Sequence, residues 1–86
     1  MEFKEDDLKR VLSNVFNIPQ ETVGDDTSID TVESWDSLKH LELVLSLEEK
    51  FDVTLKEEET VEILNYQLIK MVLAKHGISL VNEIAK

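Results

Sequence analysis

The stretch from Ser37 to Phe51, SLKHLELVLSLEEKF, limits the possible folds more than any other part of this chain. At about 100° per residue, Leu38, Leu41, Leu43, Val44, Leu45, Leu47 and Phe51 spread over more than half of a helical circumference. Lys39, Glu42, Ser46, Glu49 and Lys50 fill the remainder. A helix this apolar cannot lie on one flat partner. It needs two neighbours, or one neighbour and a ligand. Asp36 is a good N-cap for it, so the helix is expected from Ser37 to about Lys50. Glu48 falls inside the apolar arc, and local rules do not explain it.

Two further helices are available to surround it. Leu8, Val11, Leu12, Val15 and Phe16 recur at i, i+3, i+4, i+7 and i+8, one face of a first helix that Pro19 brings to a stop. Glu5, Asp6 and Asp7 sit in its first turn, where the helix dipole favours them. A last helix is expected from about Glu62 to His76, presenting Leu64, Leu68, Met71 and Val72, with Val61 packing just before it. Lys75 and His76 suit its negative end and Gly77 its C′ position. A short helical turn is available at Glu57–Thr60. Between the first two helices runs a long stretch, Asn17–Trp35, rich in turn formers, with Val23, Ile29 and Val32 spaced as if pinned across a core. Connections of that length are uncommon in compact domains and are usually functional or disordered. The expected fold is all-α, a small antiparallel bundle of three long helices plus a short one. The domain is expected to span residues 1–77, with 78–86 a tail free to fray.

With 86 residues, the chain has room for one modest core. An apolar content of 42% is enough to fold it. The net charge of −10 repels phosphate backbones and anionic lipid, so neither nucleic acid nor membrane is an expected partner. Proteins with basic patches are. No apolar run approaches the roughly 20 residues that span a bilayer, and the acidic start MEFKEDDLKR lacks a signal-peptide core. A cytoplasmic monomer is expected. With no cysteine there is neither disulfide nor thiolate site, nor a thiol of the chain's own. The two histidines lie far apart, and the GDD and EEE runs lack calcium-loop spacing, so no metal is expected.

Asp36, Ser37 and His40 invite a catalytic reading. Ser37 and His40 are three apart and can be neighbours on a helix. A nucleophilic site also needs an oriented base and an oxyanion hole in a water-excluding cleft, and a bundle of this size offers little volume for one. His40 is expected at the solvated edge of its helix, and no catalytic residue is assigned.

Taken together, Asp36-Ser37-Leu38, the following ELVLSLEEKFDVTL and the preceding DDTSIDTVESW resemble the acyl carrier protein family, also called phosphopantetheine-binding or thiolation domains. The likeness runs from about Leu8 to His76. It implies that 4′-phosphopantetheine, from coenzyme A, esterifies Ser37, and that Asp36 caps the helix and meets the metal site of the phosphopantetheinyl transferase (holo-carrier synthase). It implies Ile29 as a buried anchor of the loop. It also implies that acyl- or aminoacyl-loading and -processing enzymes with basic patches read Leu38, Glu42, Val44, Leu45, Glu48 and Glu49. A core role is the alternative for Leu38 and Val44. Ser34-Trp35 stands where fatty-acid-synthesis carriers commonly have Gly-Ala, Lys39 and His40 follow the motif, and Lys56 replaces a frequent proline. W-D-S-L is more similar to specialised carriers of polyketide, peptide-type or surface-polysaccharide pathways. The rival reading is an unmodified acidic helical interaction module using the same helix face.

Overall fold

The computed structural model describes residues 2–81. In chain order they form β1 (Glu2–Lys4), α1 (Glu5–Phe16), a single 3₁₀ turn (Gln20–Thr22), α2 (Ser37–Phe51), α3 (Glu57–Thr60), α4 (Tyr66–Lys75) and β2 (Ser79–Val81). The fold is all-α in substance: four helices, with the long loop between α1 and α2. α1 and α2 are the most extensively paired elements. Leu8, Leu12 and Phe16 of α1 meet Leu43, Leu47 and Phe51 of α2 in the core, and Ile63, Tyr66, Ile69 and Leu73 complete it. Burying one such side chain fully contributes about 1.5–3 kcal/mol.

The helix ends follow local chemistry. α1 stops at Phe16, because Asn17 turns left-handed (φ 56°) and its N–H donates to Ser13 O; Pro19 comes after the stop. α2 ends the same way at Asp52 (φ 54°), whose N–H donates to Glu48 O. At the end of α4, Gly77 adopts φ 81°, the conformation expected of a C′ glycine.

The apolar arc of α2 divides. Leu43, Val44, Leu47 and Phe51 are buried, whereas Leu38, Leu41 and Leu45 are 65%, 56% and 58% exposed. α1 and the rest of the core cover one side of the helix and leave the other to solvent.

Several expectations for the later chain are corrected. α4 begins at Tyr66, not Glu62, because residues 64–66 are engaged by the long loop. Ile29 N–H donates to Leu64 O (3.0 Å), Tyr66 N–H donates to Thr27 O (2.9 Å), and Ser28 and Asn65 form an antiparallel bridge. Asn65 then caps the helix by accepting from Leu68 N–H. With that start, the buried stripe is Tyr66, Ile69, Val72 and Leu73. Leu64 and Met71 fall off it and are exposed, and Val61 is 67% exposed rather than packed. Ile29 is 42% exposed, not a buried anchor; Val23, Thr27, Val32 and Trp35 hold the loop down. The start of the tail is structured: Ile78 is buried, and β2 pairs in parallel with β1, Phe3 opposite Leu80. Phe3 in turn meets Phe51 edge to face at 4.8 Å. The remainder of the tail, 82–86, lies outside the described residues.

Two carboxylates tether α4 to its neighbours. Tyr66 donates its hydroxyl to Glu5 Oε2 (2.9 Å), and Lys70 Nζ lies 3.4 Å from the same oxygen. Burial works against the charge on Glu5, but Tyr66 and Lys70 outweigh it and hold the carboxyl below its ordinary value. The same burial, reinforced by Glu5, pushes the Tyr66 hydroxyl far above its usual range. Glu59 Oε1 accepts from Lys56 N–H and from His76 Nε2, both at 2.8 Å, and these bonds hold it too below the usual carboxylate value.

Two measurements check this description. In urea denaturation, Leu47→Ala costs about 2–5 kcal/mol, whereas Leu45→Ala stays within about 0.5 kcal/mol; equal losses would mean that the faces of α2 are misassigned. Because Glu5 and Glu59 have folded values below 4.5, they contribute stability that is present above 4.5 and lost as acid protonates them through those lower values. The urea midpoint of Glu5→Gln therefore lies below that of the wild type near pH 6, and the gap narrows toward about pH 3.

Candidate functional site

The entry to α2 is clamped from three sides. Ser34 Oγ donates to Phe16 O (3.0 Å), fixing the incoming chain to the end of α1. Trp35 is buried, with its ring centroid 4.5 Å from that of Phe16. Its indole N–H donates to His40 Nδ1 (3.0 Å), and His40 Nε2 lies 2.6 Å from Thr60 O on α3. A carbonyl can only accept, so Nε2 carries the proton and Nδ1 offers the lone pair that the indole needs. Both ring nitrogens are thus satisfied. His40 is half-buried, not the solvated edge residue expected of it.

Asp36 and Ser37 follow from this clamp. Asp36 has extended backbone, and its Oδ1 accepts from Lys39 N–H at 2.9 Å, which satisfies one of the orphan donors at the start of α2. Ser37 is the first helical residue and is exposed; no described residue hydrogen-bonds its Oγ. The hydroxyl therefore stands in water at the positive end of a helix dipole, a position that stabilises an attached phosphate diester. Next to it lies an open groove of about 480 Å³, lined by Ile29, Asp36, Ser37, His40, Val61 and Leu64.

Of the other residues singled out from the sequence, Leu38, Glu42, Leu45 and Glu49 are exposed along α2, with Lys39 Nζ 3.5 Å from Glu42 Oε1. Two leave the surface face. Val44 is 8% exposed and belongs to the core. Glu48 is half-buried, and its Oε2 accepts from Leu55 N–H at 2.8 Å. This explains a carboxylate in an apolar arc: it satisfies a backbone donor in the link after the helix. Ser37 and His40 are not joined, since both His40 nitrogens are committed elsewhere, so no nucleophile–base pair forms. The Trp35–His40–Thr60 chain and the groove walls were not anticipated. The usable signal was Trp35 itself, whose N–H requires a partner once the ring is buried. Among the described residues no three carboxylates or histidines gather to hold a metal ion, and no described helix is long and apolar enough to cross a membrane.

Comparison with known proteins bears directly on this geometry. The family model described as "Phosphopantetheine attachment site" matches residues 6–70, from α1 into α4. The chain belongs to the phosphopantetheine-binding family of acyl carrier proteins. Acyl carrier proteins from three strains of Buchnera aphidicola subsp. Acyrthosiphon pisum (Tuc7, 5A and APS) are each 34% identical over 59 residues, 69% of this chain and 74% of theirs. The family's cofactor is covalent 4′-phosphopantetheine, and its members carry groups for enzymes rather than act as enzymes. The residues at the head of α2 fit such a group: a free hydroxyl, a capped first turn and no carboxylate other than the cap lining the adjoining groove.

The capping geometry predicts that Asp36→Ala costs about 1 kcal/mol in denaturant unfolding, within a range of about 0.5–2 kcal/mol, whereas Asp36→Asn, which retains an acceptor, costs only a fraction of that. Equal losses from both would show that the charge, not the cap, matters.

Proposed function

We propose that Ser37 is the attachment residue and that this protein presents an acyl or aminoacyl group to biosynthetic enzymes. The observation that carries the reading is the exposed Ser37 hydroxyl, unbonded by any described residue, on the first residue of α2. When bound, 4′-phosphopantetheine supplies the thiol that a chain without cysteine lacks, and cargo is held there as a thioester. A phosphopantetheinyl transferase with magnesium would move the group from coenzyme A to Ser37 Oγ, which gives up its proton, and release adenosine 3′,5′-bisphosphate. Asp36 holds the turn in which that oxygen sits and lies where the transferase's metal would approach.

The partner face in this reading is the exposed side of α2: Leu38 and Leu45 supply apolar contact, Glu42 and Glu49 supply charge. With a net charge of −10, the domain attracts enzymes with basic patches, and salt weakens the attraction. We place the protein in the cytoplasm as a monomer. Trp35 before the motif, with Lys39 and His40 after it, favours a specialised polyketide, peptide-type or surface-polysaccharide pathway over housekeeping fatty acid synthesis.

Intact mass after incubation with coenzyme A, magnesium and a broad-specificity transferase tests the reading. The wild type gains one phosphopantetheine, and Ser37→Ala gains none. A wild type that gains nothing leaves the unmodified acidic interaction module as the better account.

A further inference from the structure

The groove beside Ser37 is lined by apolar side chains together with His40. Ile29 and Leu64, joined by the backbone bond from Ile29 N–H to Leu64 O, line it with Val61. His40 also lines the groove, and its bond to Thr60 O ties α2 to α3 across the seam between them. His40, Leu43, Val44 and Leu47 fall at i, i+3, i+4 and i+7, one stripe of α2. The stripe that begins at His40 thus continues as buried core. An apolar chain entering from Ser37 along this stripe would meet the imidazole first. Moving the imidazole aside would leave both the buried Trp35 indole N–H and the Thr60 carbonyl without partners, and unmade bonds of that kind are costly.

We propose that His40 latches the α2–α3 seam and thereby restricts the cargo: what Ser37 carries stays in the surface groove, which suits a short or polar acyl or aminoacyl group and not a long hydrocarbon chain. The inference rests on the assignment of Ser37 as the attachment residue. It makes Trp35 and Thr60 the supports of the latch and Ile29, Val61 and Leu64 the surface that a short chain covers. Methylenes beyond those three side chains stay in water while the latch is closed. With the latch removed, they gain access to the apolar interior.

The test loads the full chain from butyryl- and decanoyl-coenzyme A with a broad-specificity transferase, confirms each product by intact mass, and compares melting temperatures within each variant. In the wild type the decanoyl form melts within about 2 °C of the butyryl form. In His40→Ala the decanoyl form melts higher by about 5 °C or more, because buried methylenes stabilise the fold. A wild type whose melting rises as steeply as the variant's overturns the latch, and so does a variant as insensitive to chain length as the wild type. Should His40→Ala fail to fold, the double variant Trp35→Phe/His40→Ala replaces it under the same criteria; it keeps an aromatic ring against Phe16 and leaves no indole N–H without a partner. A wild type that takes up no group overturns the Ser37 assignment and the latch with it. A loaded wild type with a steep rise sinks the latch alone.

Discussion

The indole N–H of Trp35 has one partner, and much of the upper half of the molecule depends on it. Trp35 ends the long loop and packs on Phe16 at the end of α1. Its bond to His40 orients an imidazole on α2, whose other nitrogen reaches Thr60 on α3. One chain of two hydrogen bonds thus links the loop to α2 and α3, and the Trp35 ring adds α1, at the point where Asp36 and Ser37 emerge. A buried indole donor without an acceptor would be destabilising, so the geometry is held by the penalty for breaking it as much as by the strength of the bonds. The exposed hydroxyl is mobile only within what this frame allows.

The same head of α2 concentrates opposing demands. If Ser37 is the attachment residue proposed above, the first turn of α2 must be rigid enough to present one oxygen, yet open enough for a large enzyme to reach it. Capping by Asp36 meets the first demand without covering Ser37, because the cap acts forward, on Lys39 N–H. The second is met by leaving Leu38, Leu41 and Leu45 in solvent, an exposure that no interior packing requires. Exposed apolar side chains in a row on a small acidic domain suit the partner face proposed for α2.

Helices with a regular repeat were legible in the sequence. The apolar face of α1, the span of α2, its Asp36 cap, the brief α3 and the Gly77 terminus follow from spacing and cap chemistry, and the carrier-like motif placed Ser37 at a helix start. The parts that were not legible are set by distant partners. Nothing near Glu62 announces that Thr27 and Ile29 will bond residues 64 and 66 and delay α4 by a turn; of the expected stripe only Val72 is buried, and Tyr66, Ile69 and Leu73 take the place of Leu64, Leu68 and Met71. Glu48 looked anomalous because its partner is a backbone N–H beyond the end of its own helix. His40 looked solvated because both of its partners, Trp35 and Thr60, lie outside its helix. Ile29 kept its place beside Ser37, but as a groove wall and not an anchor.

The parallel pairing of β1 with β2 has a mechanical meaning. Glu2 lies beside Ser79 and Lys4 beside Val81, so the two strands run in the same direction. Tension applied outward through the start of β1 and the far end of β2 loads their ladder in shear, along the strands, and its hydrogen bonds share the force instead of opening one after another. The rest of the bundle is shielded from pulling until that short clasp slips.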